Sequence, residues 1–294
     1  MSVDFGHQFI KIGLVKPGVP MEIVLNSESR RKTPSIVSIR GQDRAFGDNA
    51  ASLAVRYPVS AYQYFVDLLG KSPGNPIWNL YSERFPYYEL TTTPRGSLAF
   101  RDKESLHSVE ELAAMLLVEC RKYAQAFAEQ PVKDVVITVP PYFNQAERRA
   151  MAAAAQMADL NLLQLMNDNT AAGVNYGMFR RKQFNDTTPT TVIIYDMGAS
   201  KTTATVYEFR LVRDKITRDL NPEMTILGVG YDRTLGGLEI TLRLREHLVK
   251  AFEAQKKTKN SIRDNSRAMA KLLKEAERVK QVLTVNSDHF AQVR

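Results

Sequence analysis

One short pattern occurs twice, near the start of each half of the chain, and it constrains the fold more than any other feature. Val3-Asp4-Phe5-Gly6-His7-Gln8 leads into an alternating segment at residues 9–15. Tyr195-Asp196-Met197-Gly198-Ala199-Ser200 leads into a similar segment at residues 202–209. Each copy has an Asp at a strand end, one residue, a Gly, a tight turn and a returning strand. A repeat at this distance points to two homologous lobes. A Gly-containing hairpin turn brings backbone N–H groups close to anionic oxygens with no side chain in the way. An Asp at the strand end suits Mg²⁺, usually through waters, because that ion dehydrates reluctantly. Two facing hairpins would enclose a triphosphate. Asp-x-Gly alone is an ordinary strand-turn signal, so the reading rests on the pairing.

Composition narrows the class. The 294 residues are 44% hydrophobic and 24% charged, a globular balance that allows one large domain or two lobes. A single cysteine, Cys120, excludes a disulfide framework and a Cys-based metal cluster within the chain. No apolar run approaches bilayer-spanning length, and Met1-Ser2-Val3-Asp4 enters a strand-like segment without a leader pattern. No membrane role is therefore expected. Forty Lys+Arg against 32 Asp+Glu give a net charge of +8. Part of that excess lies in Arg30-Arg31-Lys32, Arg180-Arg181-Lys182 and Lys256-Lys257-Thr258-Lys259. Each cluster lies at an expected turn without interleaved aromatics, so it reads as solvated loop, and no nucleic-acid partner is expected. His7, His107, His247 and His289 lack metal-ligand spacing and read as surface or capping residues.

Strand and helix signals alternate along the chain. Residues 9–15 read as a strand ended by Pro17-Gly18, and residues 36–39 as another. Residues 48–70 read as helix in two pieces, broken at Tyr57-Pro58. The stretch 71–107 is rich in prolines and aromatics, Trp78 among them, and reads as a small peripheral subdomain or a long insertion. Ser108 and Glu111 form a capping box. Val109, Leu112, Ala113, Leu116, Leu117, Cys120, Tyr123 and Phe127 follow at helical spacing, which makes Cys120 a buried, inert thiol. Val135-Val136-Ile137-Thr138-Val139 is a continuous apolar strand of the kind covered on both faces, stopped by Pro140-Pro141. Asn144 and Glu147 open an alanine-rich helix over 148–158. Residues 162–166 read as a strand, and a helix begins at 170–176.

The loop at 185–189 reads as a boundary and contains the glycosylation sequon Asn185-Asp186-Thr187. A strand follows at 191–195. The last helix runs from about 265 to about 285, with Met269, Leu272, Leu273, Ala276, Val279, Val282 and Leu283 as its apolar stripe. This β-α-β-α order predicts an α/β architecture.

These residues resemble the actin-type ATPase domain of the heat-shock protein 70 superfamily. The likeness is carried by Val3-Asp4-Phe5-Gly6, Phe46-Gly47-Asp48-Asn49-Ala50, Ile137-Thr138-Val139-Pro140-Pro141-Tyr142-Phe143-Asn144, Asn167-Asp168-Asn169-Thr170-Ala171-Ala172, Tyr195-Asp196-Met197-Gly198 and Leu235-Gly236-Gly237. Their order spans essentially the whole chain. Residues 16–26, Phe143-Asn144-Gln145-Ala146-Glu147-Arg148-Arg149-Ala150 and Asp232-Arg233-Thr234-Leu235-Gly236-Gly237-Leu238-Glu239 are most similar to the superfamily's large endoplasmic-reticulum branch.

The resemblance implies an actin-like (ribonuclease H-like) duplicated two-lobe fold that binds ATP or ADP with Mg²⁺. The first lobe would cover 1–187, with a peripheral subdomain at about 40–107, and an incomplete second lobe would cover 188–294. By the same resemblance, Asp4 and Asp196 organise the Mg²⁺, and Asp168 stands where a Glu usually lies near the attacking water. Gly6, His7 and Gln8 belong to the first phosphate hairpin, and Gly198, Ala199, Ser200 and Lys201 to the second. Pro140 and Arg148 match a hinge-side pair. Glu277, Lys280, Gln281 and Thr284 match the helix that lines the adenosine pocket. Their spacing of i, i+3, i+4 and i+7 is one helical face.

Several positions depart from the family pattern. His7-Gln8 replaces paired Thr hydroxyls, Ala199-Ser200-Lys201 replaces Gly-Gly-Thr, and Val66 stands where the catalytic Lys is expected. Gln281 replaces an Arg that would stack on adenine. Phosphoryl transfer depends on positioning and on neutralising charge, so weak hydrolysis or none is expected. Lys201 reads as either a phosphate contact or an obstruction. The chain stops at Arg294, before the family's later adenosine loop and peptide-binding region, and uncovered apolar sheet surface is expected as a result.

The leading expectation is therefore the nucleotide-binding domain of a chaperone of the endoplasmic-reticulum lumen. Such a domain would promote nucleotide exchange on an ER-resident seventy-kilodalton chaperone, and unfolded clients would need a region beyond this chain. The alternative is a non-enzymatic docking protein with a degenerate cleft. A sugar kinase on the same fold finds no support outside the two hairpins.

Overall fold

The computed structural model describes residues 1–102, 105–255 and 260–292. The cluster Lys256-Lys257-Thr258-Lys259 lies outside the described residues.

The chain opens with β1 (Ser2–Phe5), β2 (Phe9–Lys16), β3 (Val19–Ile23), β4 (Thr33–Pro34), β5 (Ile36–Arg40) and β6 (Asp43–Phe46). Then come α1 (Gly47–Ala54), β7 (Ala61–Gln63), α2 (Pro76–Arg84), β8 (Glu89–Thr92), β9 (Leu98–Asp102) and β10 (Ser105–Ser108). The middle holds α3 (Val109–Ala128), β11 (Asp134–Val139), α4 (Gln145–Met157), β12 (Asn161–Asn167) and α5 (Asp168–Arg180). The remainder is β13 (Thr190–Met197), β14 (Thr202–Arg213), β15 (Leu220–Asp232), α6 (Gly237–Gln255) and α7 (Ser266–Val282).

The first sheet runs β12-β11-β1-β2-β3, with β4 also paired to β2. β11 lies parallel to both β1 and β12, while β1 and β2 form an antiparallel hairpin. The β-branched run Val135, Ile137 and Val139 suits this central position, and its three side chains are buried. The opposite face of β11 is only half-buried, because Thr138 there faces a cleft. α3 and α4 cover the sheet. Both capping boxes form: Ser108 accepts from the Glu111 amide, Asn144 accepts from the Glu147 amide, and both carboxylates reach back. Cys120 is buried on the α3 stripe, and burial raises its thiol to about 12, so it is inert.

The second sheet, β13-β14-β15, is an antiparallel meander like β1-β2-β3. α5 packs on it, with Gly173 and Gly177 admitting Tyr207 and Phe209 close to the helix backbone. Across the same meander Ile193, Tyr195 and Tyr231 are more than half exposed, so apolar sheet surface is uncovered as expected.

The second helical piece expected over 57–70 is not an α-helix. Ala61-Tyr62-Gln63 pairs with β5 instead, and Tyr64 takes a left-handed conformation at φ 56° that interrupts any helix. The following run, Phe65, Val66, Leu68 and Leu69, is buried on every side of a short 3₁₀ turn, so it has no amphipathic period to read. Tyr62, Tyr81, Phe85, Tyr88 and Phe100 join the main core cluster, with tilted and edge-to-face ring pairs among them.

Two histidines also correct the sequence reading. His107 is buried beside the Tyr62 ring, and burial lowers its imidazole below the ordinary value. His7 is buried with Nε2 2.9 Å from Asp67 Oδ1. His247 and His289 are exposed. In the described basic clusters, Arg30 pairs with Asp48, Lys32 lies over Phe9 and Arg180 over Tyr176.

Candidate functional site

The turns between β1 and β2 and between β13 and β14 line one cavity of about 760 Å³. Asp4, Gly6, His7 and Gln8 enter from one side, and Asp196, Gly198, Ala199 and Lys201 from the other. Asp168, at the first turn of α5, and Pro140 complete the wall. Ser200 is buried behind the hairpin, near Asp67 and Arg233.

Glycine is required by contact in the first turn. A Cβ on Gly6 would lie 2.4 Å from the Phe9 carbonyl oxygen, so the first hairpin closes only without a side chain there. The second hairpin is held by the Gly198 amide donating to the Lys201 carbonyl at 2.8 Å. The start of α6 braces it from below: the Gly237 amide donates to the Gly198 carbonyl, and the Leu238 amide to the Ala199 carbonyl.

Each carboxylate expected to organise Mg²⁺ already has a cation. Register places Asp4 opposite Lys11, whose Nζ donates to Asp4 Oδ2 at 2.8 Å, and Thr138 Oγ1 donates to Asp4 Oδ1 at 2.9 Å. Lys201 Nζ lies 2.6 Å from Asp168 Oδ2 and 2.8 Å from Asp196 Oδ2. Burial alone would lower the Lys201 ammonium, but the Asp168 and Asp196 carboxylates outweigh it and hold the group above its ordinary value. Burial raises Asp168 despite Lys201.

A second cavity of about 530 Å³ shares His7, Gln8 and Phe9 with the first. Its far wall is Thr241, Leu273, Lys274 and Glu277. Burial pushes the Glu277 carboxyl upward, but Lys280, Thr241 and Gln281 together hold it below its usual value. Lys280 Nζ donates to Thr241 Oγ1 and to the Gly237 carbonyl, which joins α7 to the base of the second hairpin. Gln281 and Thr284 are exposed and satisfied by their own helix end. Of the predicted four-residue face, Glu277 lines the second cavity, Lys280 and Gln281 line neither cavity, and Thr284 lies beyond α7, which stops at Val282.

Behind the cleft, Glu147 is fully buried and bonds Lys71 and Arg233. Arg233 also donates to the Tyr142 carbonyl and lies over the Tyr142 ring. This clamp joins α4 to the loop after β15. Arg148 ties the start of α4 to Asn167 at the end of β12. Val66 is packed in the main core.

Sequence reasoning did not identify Lys11, Thr138, Thr241 or Arg233 as site residues. Lys11 is fixed by the hairpin register, since pairing Phe5 with Ile10 places residue 11 across from residue 4. Arg233 had no local signal, because its partner is 86 residues away.

Two meanders, each presenting an Asp-x-Gly hairpin to one cleft, define a duplicated actin-like fold. The family model described as Hsp70 protein matches residues 1–293, and the chain belongs to that family. It is 52% identical over 295 residues to hypoxia up-regulated protein 1 of Xenopus tropicalis, an alignment covering all of this chain and 46% of that relative. The proteins of the same name from Homo sapiens and Danio rerio are each 52% identical, over 297 and 295 residues, with 30% of each relative covered. The chain thus spans less than half the length of these relatives.

Hsp70-family domains bind ATP or ADP, usually with Mg²⁺. The cavities and hairpins here fit a nucleotide. The side chains as arranged do not fit a divalent ion: Lys201 lies between two of the three carboxylates, and Lys11 neutralises the third. Among the described residues there is no group of three or more His, Cys, Asp or Glu side chains that could hold a metal.

Proposed function

We propose that the chain is the nucleotide-binding domain of a large chaperone of the endoplasmic-reticulum lumen. ATP or ADP would lie with its phosphates between the two hairpins and its nucleoside toward α7. The observation that supports this most is the continuity of the two cavities through His7, Gln8 and Phe9. Turnover is slow or absent. Val66 is in the core at the position where a catalytic lysine is expected, and the Lys201 ammonium is engaged by two carboxylates. The lobes divide at about residue 187. Nucleotide exchange on a seventy-kilodalton partner chaperone would follow from docking of this domain, and clients would be held by the parts of the relatives that this chain does not cover. Asn185 is exposed, and its side chain accepts from the Thr187 and Thr188 amides in a surface loop, so a glycan there would meet no packing obstacle.

The second reading, a docking protein with a closed cleft, is favoured by Lys201 filling the space between Asp168 and Asp196. Calorimetric titration of the folded chain with ADP separates the two. Saturable one-to-one binding is expected. No heat and no thermal stabilisation from a chain with a cooperative melt would overturn the nucleotide reading and leave docking.

A further inference from the structure

We propose that this cleft binds the polyphosphate of an adenine nucleotide without a divalent cation, with the Lys201 ammonium in the ion's place. The inference rests on the nucleotide reading above and deepens it.

Geometry carries the argument. Lys201 Nζ is within 2.8 Å of carboxylate oxygens from two elements, the start of α5 and the end of β13. Its side chain is 7% exposed, so this is a built position and not a surface lysine caught in passing. An ammonium carries three donors. Two are given to Asp168 and Asp196, and the third is what a phosphate oxygen would take.

Charge limits what the carboxylates by themselves offer a divalent ion. The cleft wall carries Asp4, Asp168 and Asp196 against Lys11 and Lys201, three negative and two positive charges, one net negative. The carboxylates alone therefore leave a divalent ion one uncompensated negative charge, and the phosphates must be met by the remaining Lys201 donor and the hairpin amides. A divalent ion would also compete with an ammonium tethered to the same hairpin, whose effective concentration at the site is far above that of free ion. Mg²⁺ further requires near-octahedral oxygen ligands, and here Asp168 Oδ2 and Asp196 Oδ2 both face nitrogen.

The test is ADP affinity at constant ionic strength, measured in excess EDTA and in excess magnesium chloride. The wild-type dissociation constant is expected to agree within about threefold between the two conditions. Lys201→Met, which keeps the packing and removes the charge, is expected to lose about tenfold or more in EDTA and to regain most of it with magnesium. Wild-type binding that weakens more than about tenfold in EDTA would overturn the inference while leaving the nucleotide reading standing. Absence of binding in both conditions, from a chain with a cooperative melt, would overturn both. Should Lys201→Met fail to fold, the wild-type comparison alone decides.

Discussion

Glu147→Ala is expected to lower the melting temperature by roughly 10 °C. Glu147 is fully buried, and removing it strands the Lys71 ammonium, itself 7% exposed, without a carboxylate. Breaking a buried pair from one side costs about 3–5 kcal/mol, and in a chain of this size each kcal/mol is worth roughly 2–4 °C. Part of the loss comes from the capping box, since Glu147 Oε2 also accepts from the Asn144 amide. Adding Lys71→Met should recover part of the stability, because the more deeply buried of the two cations that Glu147 pairs is then no longer orphaned, while Arg233 still is.

The pH dependence has a definite sign. Burial pushes the Glu147 carboxyl upward, but its bonds from Arg233, Lys71 and the Asn144 amide outweigh burial and hold it below its ordinary value of 4.5. Its stabilisation is therefore present above that value and is lost as pH falls further, through the folded pKa. The gap between wild type and Glu147→Ala should narrow in acid. Melts of equal midpoint at neutral pH would show that the clamp contributes nothing.

Gly236→Ala should weaken ADP binding about tenfold or more, roughly 1.4 kcal/mol. A Cβ there would lie 2.5 Å from the Ala199 carbonyl oxygen and 2.9 Å from the Lys201 amide nitrogen. Both atoms are backbone of the second hairpin, so the hairpin itself must shift, and with it Lys201. Gly228→Ala is the control: it lies on β15 with nothing within 4 Å of the added atom, and it should leave binding and melting unchanged. Unchanged affinity in Gly236→Ala would mean that the second hairpin does not touch the nucleotide.

Much of this architecture was legible because its signals are local. The capping boxes at Ser108 and Asn144, the β-branched run of β11 and the apolar stripe of α7 each need only spacing within one element. The duplicated hairpin was legible because its Asp and Gly positions repeat. What the sequence concealed was set by distant partners. Residues 61–63 became a strand because β5 offered an edge. His7 was buried because Asp67 stands beside it, and Arg233 found Glu147 across the fold. Lys201 had two readings from sequence. The structure gives a third, an ammonium shared by Asp168 and Asp196, which depends on the end of β13 meeting the start of α5. Gln281 and Thr284 were expected on the cavity-lining face of α7, but both side chains are exposed, and Thr284 lies past the end of that helix.

The central claim is that both hairpins close on one nucleotide. Hydrogen exchange of the backbone amides, measured with and without saturating ADP, tests it most directly. The account predicts slowed exchange at residues 6–9 and at 198–202 together, with α3 unchanged. Slowing at only one hairpin, or at neither while calorimetry shows saturation, would contradict it.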